Sequence, residues 1–314
     1  MRHGLPSALD SLLRPRSASG RALVTGWFSF RDGEVTAGDA LAERAVSDAL
    51  GRLGVAHDSA WSPVFAPGEL TLEEARPESY EQLLFVCGPL HGDQILRLHE
   101  RYAACRRTAV GVSVVDERAP EVTGFHRVLA RDRAGAGLMA DLAGAARSGP
   151  ARPLVGVALT HGQGEYGARR DHDRAAEVLG SWLAGRDCAR VEADTRLARD
   201  TWRQCRTADQ YLSLVGRLDL MVTDRLHGMV LALRTGVPAL VVDPVRGGAK
   251  VSAQAFVVRW PAVVPCEELS PEVLDDWWAW CLSPAGKAAA ERRRALLLRG
   301  AAGAPGPRDL DSGH

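Results

Sequence analysis

Residues Asp219 to Asp243 read DLMVTDRLHGMVLALRTGVPALVVD. The run DLMVT is apolar and bounded by polar residues, the signature of a buried strand. Leu226, Met229, Val230 and Leu233 then recur at helical spacing. Gly236 supplies a stop and Pro238 opens a second apolar strand, ALVV. The stretch is therefore strand, turn, helix, strand, and the turn between the first two elements carries Asp224, Arg225 and His227. In an open α/β sheet, the carboxyl end of a strand facing a helix N-terminus is where anionic ligands bind, because unpaired backbone N–H groups and the helix dipole converge there. Arg225 is permanently charged and can grip a carboxylate or phosphate with two parallel hydrogen bonds, and His227 can exchange a proton near neutral pH. A simpler reading has Asp224 capping the helix and Arg225 pairing with a nearby carboxylate.

Working outward, the same alternation recurs on both sides. Upstream, Ala22–Phe28 reads as a strand, Asp39 as the cap of a helix with Leu41, Ala45, Ala49 and Leu53 on one face, and Gln82–Gly88 as a buried strand. A helix over Gln94–Arg106, a strand over Thr108–Val115, an apolar segment over His126–Arg131 and a helix over Gly137–Arg147 follow. The stretch SGPARP, Ser148–Pro153, has linker composition. The pattern restarts with strands at Leu154–Thr160 and Ala189–Ala193 and helices at Asp171–Leu183 and Asp209–Val215, and ends in helices over Pro271–Trp280 and Ala285–Arg299. Trp277, Trp278 and Trp280 read as packing residues, and Arg292–Arg294 as a solvated helix face.

Strand–helix alternation with near-continuous apolar strands calls for parallel sheets covered on both faces. The expected fold is α/β, with two Rossmann-like parallel-sheet domains facing a cleft in a glycosyltransferase-B-like arrangement. The expected boundaries are an unstructured tail over 1–19, a first domain over 20–149, a second over 150–299 with the closing helices, and an unstructured tail over 300–314.

Composition narrows the function classes. Lysine plus arginine and aspartate plus glutamate both number 39, so no global field selects nucleic acid or an anionic membrane. The six cysteines form no C-x-x-C pair and no metal-ligand spacing, which fits a reducing cytoplasm and no metal site. No signal peptide or membrane-length apolar run is evident, so the expectation is a soluble cytoplasmic protein with at most peripheral membrane contact. Lys250 and Lys287 are the only lysines in an arginine-rich chain. Gly162-Gln163-Gly164-Glu165-Tyr166-Gly167 fits G-x-G-x-x-G after a strand, but the residues that follow, Ala168 to Asp173, are too polar for the closely packed helix of a dinucleotide site. A substrate-facing loop is the alternative, with His161, Gly162, Gly164 and Arg169 as its candidate contacts.

A helix beginning RLHG, an Ala/Leu-rich turn, then GVP and an apolar strand resembles the polysaccharide pyruvyl transferase family. Weaker matches occur in order: Gly38-Asp39, LLFVCGPL (Leu83–Leu90), VGVSVVD (Val110–Asp116), VLARD (Val128–Asp132) and VVDPVRGGAKV, which places Lys250 at the family's Lys-Val. The resemblance spans roughly residues 20 to 260. It implies transfer of the pyruvyl group of phosphoenolpyruvate, as co-substrate and with no other cofactor, to hydroxyls of a glycan or glycolipid, usually as a ketal. Within it His227 would be the general acid that protonates the enol carbon. Arg225, Lys250 and Arg131 would bind the donor, and Asp39 would position or deprotonate the acceptor hydroxyl; Asp39 as a plain helix cap and Lys250 as a surface lysine are the simpler readings. Two departures fall in the first domain: Gly88 lies between Cys87 and Pro89 where the family has consecutive glycines, and no asparagine precedes Gly38-Asp39. Divergence is therefore expected on the acceptor side. A nucleotide-sugar glycosyltransferase of the same architecture and a non-catalytic ligand-binding relative remain open alternatives.

Overall fold

The structure is a computed structural model, and it describes residues 10–17, 19–132, 140–160 and 164–300. Contacts divide the chain into two units between Gly149 and Pro150, inside the stretch of linker composition.

In the first unit the elements run α1 (Asp10–Leu13), β1 (Ala22–Thr25), α2 (Ala37–Arg52), β2 (His57–Ser59), β3 (Gln82–Val86), α3 (Asp93–Arg101), β4 (Arg106–Val112), α4 (Pro120–Thr123) and β5 (Arg127–Ala130). The strands form one parallel sheet in the order β2-β1-β3-β4-β5. Side chains alternate across a strand, and both faces are covered. Val24, Leu84 and Val86 pack with Ala42, Ala45, Val46 and Leu50 of α2, whereas Leu23, Leu83 and Phe85 pack with Ile95 and Leu98 of α3. That two-sided burial is why β3 reads as an unbroken apolar run.

Several local expectations are corrected. The segment 1–19 is not wholly unstructured: α1 buries Leu13 completely, the Leu12 carbonyl accepts a hydrogen bond from Gln82 (2.8 Å), and Glu81 receives the Arg16 and Ser17 backbone N–H groups. Asp39 is not the cap of α2. Thr36 is the N-cap, its Oγ1 accepting the Asp39 N–H (3.2 Å) while the Asp39 carboxylate accepts the Thr36 N–H (3.2 Å), a reciprocal capping box. The helix expected to reach Arg106 stops at Arg101, because β4 begins at Arg106. Of the helix expected over Gly137–Arg147, the described part holds a 3-10 turn, Leu142–Ala145, capped by Asp141. β2 carries no periodic apolar signal, since it is a three-residue polar edge strand.

The second unit runs β6 (Leu154–Ala158), α5 (His172–Ala184), β7 (Ala189–Glu192), α6 (Ala208–Val215), β8 (Leu220–Thr223), α7 (Leu226–Arg234), β9 (Ala239–Asp243), α8 (Lys250–Val258), β10 (Val263–Pro265), α9 (Pro271–Leu282) and α10 (Pro284–Gly300). Its sheet is parallel in the order β10-β9-β8-β6-β7. The tryptophans of α9 pack as expected, Trp278 against Trp182 and Trp280 against Trp260 (centroids 5.4 Å in each case). Each unit is thus a Rossmann-like parallel α/β sheet. No helix among the described residues is long and apolar enough to cross a membrane.

Candidate functional site

The turn from β8 to α7 is built on Thr223. Its buried hydroxyl donates to the Ala158 carbonyl (2.6 Å) and accepts the Arg225 N–H (3.0 Å), so the end of β8 is tied both to β6 and to the start of the helix. Gly228 lets this happen. A Cβ there would fall 2.3 Å from Thr223 Oγ1, so only glycine allows α7 to approach the strand so closely.

Asp224 does not cap α7. It is buried, and its Oδ1 accepts the Thr160 N–H (2.7 Å) while Oδ2 has no partner among the described residues. Burial raises its pKa against the opposing pull of the Thr160 hydrogen bonds. The N-cap of α7 is Arg225, which supplies no side-chain cap. The next helix differs. Fully buried Asp243, at the end of β9, accepts the N–H groups of Ala249 and Ser252 (2.9 Å each) and the Ser252 hydroxyl (2.6 Å), so a carboxylate already fills the N-terminus of α8. Of the two, α7 keeps its first-turn N–H groups uncapped by a side chain and available to an anion.

Arg225 pairs with a carboxylate, as the simpler reading has it. Nη1 donates to Asp194 Oδ1 (2.8 Å) and Thr195 Oγ1 (2.7 Å), and Nε to the Leu159 carbonyl (3.2 Å). Nη2 has no hydrogen-bond partner among the described residues. Asp194 also receives Arg196 Nε (2.8 Å). Burial would raise its pKa, but the Arg196 hydrogen bonds and the Arg225 charge overcome that and hold the carboxyl below its ordinary range. The pair is well buried, with side chains 14% and 9% exposed, so Arg225 is fixed in place. His227, on the first turn of α7, is exposed to solvent.

Lys250 opens α8 and is exposed, with Nζ 5.7 Å above the Tyr166 ring, a cation–π contact. Tyr166 stacks on His172 (6.3 Å, 24°), which is fully buried with its Nδ1 unpartnered among the described residues; burial lowers the His172 pKa. The loop bearing Tyr166 is strapped to the β9–α8 loop through Arg246 N–H to the Arg169 carbonyl (2.9 Å) and Asp171 N–H to the Pro244 carbonyl (2.8 Å). Of the candidate loop contacts, His161 and Gly162 lie outside the described residues, while Gly164 and Arg169 bound an exposed pair of 3-10 turns. The helix after it starts only at His172, five residues beyond Gly167, unlike the tight turn of a dinucleotide fingerprint.

Asp39 and Arg131 belong to the first unit, where both line a cavity of about 500 Å³ together with Trp27, Cys87, Gly88 and Asp141. Arg131, expected beside Arg225 and Lys250, is in a different unit from them. Its guanidinium holds Ser113 Oγ (3.2 Å), Cys87 Sγ (3.3 Å) and Asp141 (2.7 Å). Cys87 is non-glycine at φ 65°, so the consecutive positive φ of Cys87 and Gly88 keeps a bend that two glycines would make without strain. Among the described residues no cluster of three or more His, Cys, Asp or Glu could hold a metal ion. Sequence reasoning missed Thr223, Asp194, Thr195, Asp243 and Tyr166 as parts of the site. Only Asp194 and Asp243 carried a signal, as acids at the ends of strands.

Residues 178–244 match the family model described as polysaccharide pyruvyl transferase. The matched segment runs from α5 to just past β9 and contains Asp194, Arg225, His227 and Gly228, but not Asp39, Arg131 or Lys250. None of the curated proteins compared with the chain matches it. Solved structures align over most of its length. They include the glycotransferase of kitacinnamycin (13% identity, 91% of this chain and 96% of that one, TM-score 0.33). Spinosyn rhamnosyltransferase SpnG with thymidine diphosphate is another (15%, 90% and 100%, 0.30), as is E. coli heptosyltransferase WaaC with ADP (12%, 86% and 99%, 0.26). Such TM-scores carry no argument about this chain. The segment match does: over residues 178–244 the chain is similar to the polysaccharide pyruvyl transferase family, which supports a transferase.

Proposed function

We propose that this protein moves the pyruvyl group of phosphoenolpyruvate onto hydroxyls of a glycan or related acceptor. The observation that carries the proposal is the exposed His227 on the uncapped first turn of α7, within the segment that matches the family. Phosphoenolpyruvate presents a carboxylate and a phosphate. The free N–H groups of α7, the Nη2 of Arg225, which has no partner among the described residues, and the ammonium of Lys250 are cationic or donor groups suited to them. His227 donates a proton to the methylene carbon, C2 becomes electrophilic, and an acceptor hydroxyl adds there as its own proton leaves. A second hydroxyl displaces the phosphate, which departs with the second proton, and the ketal is complete. Donor chemistry is assigned to the second unit. Acceptor recognition is assigned to the first, where Asp39 has one oxygen in its capping box and Arg131 is anchored beside it.

The experiment is a ³¹P NMR assay of phosphate release from phosphoenolpyruvate over a panel of saccharide acceptors, with thermal-shift titrations of phosphoenolpyruvate, sugar nucleotides and NAD. Loss of a general acid costs about 10²–10⁴-fold in rate, so His227→Ala is expected to lose at least about 100-fold while still binding phosphoenolpyruvate. Near-normal transfer by His227→Ala sinks the role of His227. Stabilisation by a sugar nucleotide and not by phosphoenolpyruvate overturns the donor.

A further inference from the structure

The first unit holds a second cavity, of about 350 Å³, which shares Asp32 with the cavity that contains Asp39. Both volumes fall in the range of small-molecule sites, about 300–1,000 Å³. Their linings differ in kind. Around the Asp39 cavity, Asp32, Glu34, Asp39 and Asp141 face the single basic residue Arg131, which is already paired with Asp141. That surface repels anions and offers acceptors for hydroxyl groups. Trp27, half-buried and fixed by its Nε1 donating to the Pro89 carbonyl (2.8 Å), adds an aromatic wall against which the C–H face of a sugar ring packs.

The second cavity has a floor of buried apolar side chains, Phe30, Leu72 and Leu98, and carries Arg31, Arg97 and Arg101. Arg97 and Arg101 lie one turn apart on α3 and so share a face with Leu98. Arg101 is held by the Glu73 and Ala75 carbonyls (2.9 and 3.3 Å) and lies over the Tyr102 ring. The guanidinium groups of Arg31 and Arg97 have no hydrogen-bond or ion-pair partner among the described residues. Asp32 and Glu73 also line the cavity, leaving three guanidinium groups to two carboxylates. An anion here is selected by directed guanidinium hydrogen bonds and not by a strong net field. Trp27, which lines the first cavity, packs edge to face (5.4 Å, 76°) against Phe30, which lines the second, and Asp32 lines both.

We infer that the paired cavities take a saccharide bearing a phosphate group, with the sugar ring against Trp27 and the acidic cavity and the phosphate against Arg31, Arg97 and Arg101. Resting on the reading of the first unit as the acceptor side, this names the acceptor class as a phosphorylated saccharide and makes the three arginines specificity-determining.

Isothermal titration in the absence of phosphoenolpyruvate tests it. The probes are the 1-phosphates of glucose, galactose, mannose and N-acetylglucosamine, the corresponding methyl glycosides, and inorganic phosphate. At least one sugar phosphate is expected to bind about tenfold or more tighter than both its methyl glycoside and inorganic phosphate, which is the linkage of two sub-sites. The double variant Arg31→Gln/Arg97→Gln should reduce that probe to the affinity of its glycoside, whereas Glu34→Gln should weaken glycoside and sugar phosphate together. Arg44→Gln, an exposed arginine outside both cavities, should change nothing. The inference is overturned if no sugar phosphate outbinds its glycoside, if inorganic phosphate alone binds as tightly, or if the double variant binds as wild type does. Since no titration contains phosphoenolpyruvate, failure of pyruvyl transfer leaves these results standing. Transfer to an unphosphorylated glycan with unchanged kinetics in the double variant would overturn this inference and not the reaction.

Discussion

Two glycine-to-alanine substitutions, each inside a helix of the second unit, should move stability in opposite directions. In α7, a Cβ on Gly228 would lie 2.3 Å from Thr223 Oγ1 and 2.9 Å from Thr223 Cβ. Thr223 cannot yield easily, being fully buried with its hydroxyl bonded to both Ala158 and Arg225. Overpacking a dense interior costs about 1–3 kcal/mol. Rotating Thr223 away would sacrifice two hydrogen bonds worth about 1 kcal/mol each. The better helix propensity of alanine returns about 1 kcal/mol. Gly228→Ala should therefore destabilise by about 1 kcal/mol, and by up to about 2 kcal/mol where the clash is relieved by overpacking. In α5, Gly180 is exposed and nothing lies within 4 Å of its added Cβ. Gly180→Ala therefore collects the propensity alone and should stabilise by about 1 kcal/mol. Urea denaturation followed by circular dichroism, comparing midpoints at constant slope, reads both. The reasoning is refuted if Gly228→Ala matches wild type to within about 0.5 kcal/mol, or if the two variants shift together.

Other expectations follow from the same unit. Asp194→Ala leaves the Arg225 guanidinium buried without its counter-ion and should cost about 3 kcal/mol, measurable by the same denaturation. A loss below about 0.5 kcal/mol, the size of an exposed pair, would mean that Thr195 and Leu159 hold Arg225 unaided. Burial lowers the His172 pKa below its ordinary 6.5, so the unfolded chain takes up the proton more readily. The stability due to neutral His172 is present above pH 6.5 and is lost as the pH falls through the lowered folded value. His172→Phe, which keeps a ring against Tyr166, should flatten that part of the thermal-stability profile. An unchanged slope between wild type and variant would show that another group titrates there.

The turn at Asp224–His227 was legible because its elements carry strong local signals: an apolar strand, a 3.6-residue period and a glycine stop. The two-sheet organisation was legible for a related reason, as two-sided burial forces continuous apolar strands. Weak or short elements were not. β2 has three polar residues and owes its place to pairing with β1, and α1 is one turn that exists because Leu13 is covered by the first unit's core.

By itself the sequence determined the alternation of strand and helix, the break near residue 150 and the residue types at the RLHG turn, since all of these depend on neighbours within a few positions. Only the tertiary structure decided which charges are free. Arg225 is committed to Asp194, 31 residues away, and the N-terminus of α8 is filled by Asp243, whereas the N-terminus of α7 is left open beside His227. It also decided that Arg131 shares a cavity with Asp39, in a different unit from Lys250. Pairing between distant charges is set by how parallel strands bring their carboxyl ends to one edge of a sheet, and no local pattern encodes that.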